Sequence, residues 1–212
     1  MKRLFFLVFL AFAFSCASTK TVSYRSTSFW DLSTLTEEEN KMANELLTYG
    51  LEHEALYTLL DTLKPISSLG YSLSYPLAKD SSMKDGDKAV VQIGIDSIDR
   101  ALNELEQWNN ITSALSNEHL TFLLIPYRMP WNGDRNLQLL VVRNDIFSDL
   151  LSQNAEFFGQ WGFTQNADPS TVLTAIEFES RNDRFRAYGY LFGFPQHAVD
   201  FFVEASISEE ET

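Results

Sequence analysis

The spacing of apolar residues predicts helices in the first part of this chain. Apolar positions recur at helical intervals after Thr36 and Glu39, which form the capping box of a helix N-terminus, and Gly50 is a natural stop. The same spacing predicts a second helix over residues 51–63, because Pro65 prevents its continuation. Two short amphipathic helices are therefore expected here.

A period of two predicts strands further along. Residues 66–77 alternate Leu and Tyr with small polar residues, which favours a strand ending at Pro76. The apolar runs 120–127 and 137–143 flank a loop that is rich in Pro, Asn, Gly and Asp. Such a pair predicts an antiparallel hairpin.

Residues 89–108 allow two interpretations. A strand over 89–95 precedes a helix over 96–108, or one longer helix includes Gly94 at a cost of about 1 kcal/mol. Both interpretations include a helix over residues 96–108. Further helices are predicted after Asp145 and after Asp168, which Pro169 follows as the first helical residue.

The densest aromatic stretch is 184–203. Helical spacing and strand alternation both fit 184–194, and a helix is favoured because only local turns then join it to its neighbours. Gly193 and Pro195 predict a tight corner before a last helix over 195–205. That helix is expected to bury four apolar residues: Ala198, Val199, Phe202 and Val203.

Together these elements predict an α+β fold, a single domain with several helices packed on one face of a small antiparallel sheet. The domain is expected over 29–206, and a solvated acidic tail over 207–212. The 212 residues suffice for one core, and 45% hydrophobic content excludes global disorder. The net charge of −13 and the lack of a basic run exclude nucleic acid as a partner.

The N-terminus carries the most specific signal. Lys2 and Arg3 precede an apolar run too short to span a bilayer, followed by Ser15 and Cys16, the only cysteine. This pattern resembles the signal peptide and lipobox of bacterial lipoproteins, although Phe14 stands where that family prefers a small residue. An ordinary signal peptide with an incidental cysteine is the alternative.

The resemblance implies a signal peptide over 1–15, lipidation of Cys16, and attachment to a cell-envelope membrane through that anchor. Residues 16–28, rich in Ser and Thr, are then a flexible tether. Ala17 and Ser18 are not the acidic residues that retain enterobacterial lipoproteins at the inner membrane, which favours the outer membrane.

No catalytic motif, metal-ligand spacing or cofactor signature is present, so no metal or cofactor is expected. The ligand-binding candidates are polar residues at the ends of apolar elements: Lys64, Ser67, Arg128, Arg186, Tyr188, His197 and Asp200, with Arg143 and Arg184 beside them. Trp131 on the hairpin loop could stack on a sugar ring, although such aromatics more often pack back onto their own strand.

Two functions remain open. The preferred one is a lipid-anchored envelope protein that acts as a non-catalytic binding or assembly module for an envelope protein or glycan. The alternative is a small envelope hydrolase that acts on an anionic or glycan substrate, using His197 with Arg186 or Tyr188.

Overall fold

The computed structural model describes residues 29–60, 63–77, 94 and 97–210. Within these ranges three strands and eight α-helices follow one another along the chain. The strands are β1 (Ile66–Pro76), β2 (Leu120–Pro126) and β3 (Asp134–Arg143). The helices are α1 (Glu37–Glu52), α2 (Leu56–Leu59), α3 (Ile98–Leu115), α4 (Asn144–Gln153), α5 (Ala155–Phe158), α6 (Pro169–Glu177), α7 (Arg181–Leu191) and α8 (Gln196–Glu210). A short 3₁₀ turn, Gly159–Trp161, follows α5.

The strands form one antiparallel sheet in the order β1-β3-β2. The predicted hairpin is β2–β3, and the predicted first strand pairs with the other edge of β3. The register between β1 and β3 shifts between Ser68 and Ser72. Gly70 lies in that bulge at φ +67, and a β-carbon added there would lie 2.0 Å from the ring of Tyr49. The predicted α+β class is confirmed.

Helices cover both faces of the sheet, so the expectation of one covered face was wrong. Leu139 and Val141 of β3 belong to a core with α1 and α3, whereas Leu140 and Val142 belong to a core with α4 and α6–α8. All four are buried. An uninterrupted apolar run is typical of a strand covered on both sides, and LQLLVVR contains one.

The first helix confirms its capping box. The hydroxyl of Thr36 accepts from the amide of Glu39, and the carboxylate of Glu39 accepts from the amide of Thr36 at 2.8 Å. The helix continues through Gly50 to Glu52, because Gly50 packs against a leucine of β1, Leu69. The second predicted helix is wrong in length, since α2 is a single turn.

The region after β1 is only partly described. Apart from Gly94, the strand proposed for 89–95 lies outside the described residues, as does the loop before it. The following helix extends to Leu115, seven residues beyond the predicted end at Trp108. Its last turn is held by burial, because Ile111 and Leu115 are fully enclosed in the first core.

The aromatic stretch forms two helices with the predicted corner between them. Gly193 adopts φ +82, and the amide of Phe194 donates to the carbonyl of Gly189 at 3.0 Å. Val199 and Val203 of α8 are buried as expected, but Phe202 is 56% exposed, which contradicts its predicted place in the core.

No described helix is both long and apolar enough to cross a membrane. The predicted signal peptide, Cys16 and the tether all precede residue 29 and lie outside the described residues. Helix α8 continues to Glu210, into the part of the sequence predicted as an acidic tail.

Candidate functional site

Helices α7 and α8 enclose an apolar cavity of about 470 Å³, here called the aromatic groove. None of its lining residues is charged. The lining consists of Phe185, Tyr188, Gly189, Phe192, Phe194, Ala198, Val199, Phe201 and Phe202. The α7 residues follow helical spacing, which places their side chains along one face of that helix.

A close approach of the two helices forms the floor of the groove. A β-carbon added at Gly189 would lie 2.8 Å from one methyl carbon of Val199 and 3.0 Å from the other. Glycine at this position therefore allows Val199 to bury its methyl groups against the α7 backbone. The aromatic side chains on either side of this contact then form the walls.

The rim of the groove exposes large aromatic rings. Phe194 is 60% exposed and Phe201 is 74% exposed, beside Phe202. Phe185 packs on Phe202 with ring centroids 5.4 Å apart, and the guanidinium of Arg184 lies 5.9 Å from the centre of the Phe185 ring. Grouped exposed aromatic residues on a folded protein commonly mark a binding surface.

Tyr188 directs its polar end away from the groove. Its hydroxyl donates to Oε2 of Glu177 at 2.8 Å, while its ring lines the groove. Burial, followed by the negative charge of Glu177, raises the pKa of Tyr188 well above its ordinary value. The hydroxyl therefore remains protonated at neutral pH and acts as a donor to the carboxylate.

A second cavity of about 540 Å³, here called the Trp131 cleft, lies beside the hairpin loop. It has both aromatic and polar lining: Ser72, Tyr127, Met129, Trp131, Asn136, Glu177 and Arg184. Glu177 is 6% exposed, and its other oxygen, Oε1, accepts from the amide of Arg128 at 2.9 Å. One buried carboxylate thus joins α6 to α7 and to the loop after β2.

Two of the predicted ligand-binding residues pair with each other. Arg186 donates to Asp200, and this bond raises the pKa of the arginine and lowers that of the aspartate. Gln196 also donates to Asp200. The side chain of His197 is exposed and makes no hydrogen bond or ion pair with any described residue, so Asp200 does not orient its imidazole.

Three other candidates make separate contacts. Lys64 lies 3.9 Å from Glu54 in a partly exposed ion pair. Ser67 is buried, with its hydroxyl 2.8 Å from that of Thr58. The guanidinium of Arg128 donates to the carbonyl of Glu179.

Each of these three side chains therefore has a structural role in holding neighbouring segments together. Arg143 is similar, since it donates to two backbone carbonyls at the end of α2. Among the described residues, no group of three or more His, Cys, Asp or Glu side chains could hold a metal ion.

Glu177 was not among the residues predicted from the sequence, and Trp131 was expected to pack against its own strand rather than to be exposed. Glu177 stands in the apolar sequence AIEF at the end of α6, and a carboxylate within an apolar run is a usable signal of a buried polar contact. Trp131 is 72% exposed and does not pack back onto its own strand. Comparisons with protein-family models, curated proteins and solved structures give no match to this chain.

Proposed function

We propose that this chain is a lipid-anchored, non-catalytic binding protein of the cell envelope, and that it holds the acyl chain of an amphiphile in the aromatic groove. The observation that carries this proposal is the groove itself, with its uncharged lining and exposed aromatic rim. Its volume of about 470 Å³ lies within the range of cavities that bind small ligands.

The lining favours an apolar ligand over a polar one. The one hydroxyl among the lining side chains, that of Tyr188, is already bonded to Glu177. A ligand with buried hydroxyl or amide groups would leave those groups without side-chain partners, at a cost of about 1–3 kcal/mol each. A hydrocarbon chain has no such groups. The apolar surface that it buries against each aromatic ring contributes favourably to the binding free energy.

The anchor is supported by the sequence. A basic start, a short apolar run and a single cysteine directly after Ser15 together resemble a lipoprotein signal. Cys16 would carry the lipid, residues 16–28 would form the tether, and the outer membrane would be the favoured location. Removal of Lys2 and Arg3 with residues 1–15 changes the formal net charge from −13 to −15.

The hydrolase alternative has no comparable support. His197 has no bond to Arg186 or Tyr188, and the latter two are engaged by Asp200 and Glu177. A general base must itself lie within hydrogen-bond reach of the group from which it takes a proton. Arg186 and Tyr188 each form a structural pair within the fold.

Binding of a dansyl-labelled undecanoic acid, followed by fluorescence, tests the groove. A chain that begins at Ala17 lacks the anchor and retains every described residue. We expect saturable binding that unlabelled lauric acid displaces, and we expect Ala198→Trp to abolish it by filling the groove. Ala205→Trp is the matched control, since Ala205 is exposed on the same helix and does not line the groove.

Two results would contradict the groove proposal: absence of saturable binding, or an equal loss in both tryptophan variants. The anchor has a separate test. Metabolic labelling with palmitate should depend on Cys16, and labelling that survives Cys16→Ser would refute lipidation at this position.

A further inference from the structure

The hairpin turn fixes the backbone at Trp131. Asn132 and Gly133 have φ values of 53° and 84°, the combination that a two-residue type I′ turn requires. Trp131 and Asp134 exchange two backbone hydrogen bonds of 2.9 Å each, and the amide of Leu77 donates to the carbonyl of Gly133 at 3.0 Å. The turn is therefore tied both to itself and to the end of β1.

This fixed turn holds a large indole ring in solvent. Trp131 is 72% exposed, and none of the ring pairs among the described residues includes it. Met129, also largely exposed, lies beside it on the edge of the Trp131 cleft. An indole held outward on a rigid support can accept a flat apolar surface with little loss of conformational entropy.

Hydrogen-bonding groups also line this cleft. The Trp131 cleft includes the side chains of Asn136, Glu177 and Arg184. Arg184 donates to the carbonyl of Glu177 at 3.4 Å, and a guanidinium has five N–H donors. Both oxygens of Glu177 already accept hydrogen bonds, so the cleft combines the exposed aromatic rings of Trp131 and Tyr127 with the amide of Asn136 and the guanidinium of Arg184.

We infer that the Trp131 cleft binds a pyranose ring of a glycan. A pyranose has a face of C–H groups, which stacks on an aromatic ring, and an edge of hydroxyl groups, which needs donors and acceptors. The aromatic groove has no comparable polar side chains, whereas this cleft has both kinds of surface. A sugar bound here would leave the aromatic groove open.

Isothermal titration of the chain that begins at Ala17 tests this assignment with three defined probes: chitotriose, cellotriose and trigalacturonic acid. We expect saturable binding of at least one trisaccharide at millimolar concentrations. Trp131→Ala should weaken that binding at least about tenfold, while Trp131→Tyr, which retains an aromatic face, should lose much less. Circular dichroism of each variant verifies that the fold is intact.

Phe201→Ala is the matched control, because Phe201 is as exposed as Trp131 but lies on the aromatic groove. It should leave trisaccharide binding unchanged. Failure of all three trisaccharides to bind would overturn the assignment, as would binding that Trp131→Ala does not weaken. Equal weakening by Phe201→Ala would place the sugar elsewhere and would also overturn it. None of these results depends on whether an acyl probe binds in the groove.

Discussion

The hydroxyl of Tyr188 donates to Oε2 of Glu177 at 2.8 Å, and this bond joins the aromatic groove to the Trp131 cleft. The tyrosine ring lines the aromatic groove, and the carboxylate lines the Trp131 cleft. The two sites therefore share one wall. Loss of this hydrogen bond would affect the position of a lining side chain in each cavity. It would do so without removing any exposed residue from either one.

Tyr188→Phe should destabilise the protein by about 1–3 kcal/mol, because it removes one of the two hydrogen bonds that the described residues give to the buried carboxylate of Glu177. Urea unfolding at neutral pH measures the change. Tyr57→Phe, at an exposed position, should cost little. Similar losses in the two variants would show that the Tyr188 bond does not contribute to stability.

Gly189→Ala should destabilise the protein by about 1–2 kcal/mol. Alanine is the better helix former by about 1 kcal/mol, but its β-carbon would overlap the buried and conformationally stiff Val199. Thermal and urea unfolding measure the net effect. Gly159→Ala is the control, since nothing lies within 4 Å of the added carbon.

A double-mutant cycle tests the cause of that loss. If the overlap with Val199 is responsible, Gly189→Ala should cost much less in a Val199→Ala background, and the two changes should not be additive. Strict additivity would exclude this contact as the source.

Glu39→Gln should lower stability by about 1 kcal/mol at neutral pH. The carboxylate of Glu39 accepts from Asn110 at 2.9 Å and from the amide of Thr36 at 2.8 Å. The bond from Asn110 contributes most to lowering the pKa of Glu39, followed by those from Thr36. A lowered folded-state pKa gives stability that is present above the ordinary pKa of glutamate and is lost as pH falls through the folded value.

The difference between wild type and Glu39→Gln should therefore shrink on acidification below about pH 4. Urea unfolding from pH 7 to pH 2.5 measures it. Glu37→Gln, in the exposed first turn of the same helix, is the control and should show a smaller difference at every pH. A difference for Glu39→Gln that stays constant with pH would contradict the role of its charge.

Local chemistry made much of the fold predictable. The capping box at Thr36, the Asp168–Pro169 helix start and the Gly193 corner are each set by neighbours within a few residues, and all three form as expected. The strands were predictable from local patterns as well, β1 from its alternation and β2 and β3 from apolar runs on either side of turn residues. The length of α2 was not, because the helix ends at Leu59, while Leu60 and Leu63, which continue the apolar spacing, are 70% and 64% exposed.

The candidate sites depend on contacts between distant segments. Nothing local to Glu177 shows that Arg128 and Tyr188 will bond to it, and nothing local to Gly189 identifies Val199 as its neighbour. Phe202 was assigned to the core on helical spacing alone. The spacing correctly placed Phe202 on the side of α8 that lines the groove, but that side is exposed to solvent.

The position of β3 has a consequence for biosynthesis. Among the described strands it is the last along the chain and yet the central one, with β1 on one edge and β2 on the other. A nascent chain that leaves the ribosome N-terminus first releases β1 well before β3, the described strand with which it pairs, is made. The edge of β1 that faces β3 then stays unpaired until β3 follows, whereas the β2–β3 hairpin closes locally and rapidly. Until β1 pairs with β3, this unpaired strand is the segment of the polypeptide that a holdase chaperone would bind.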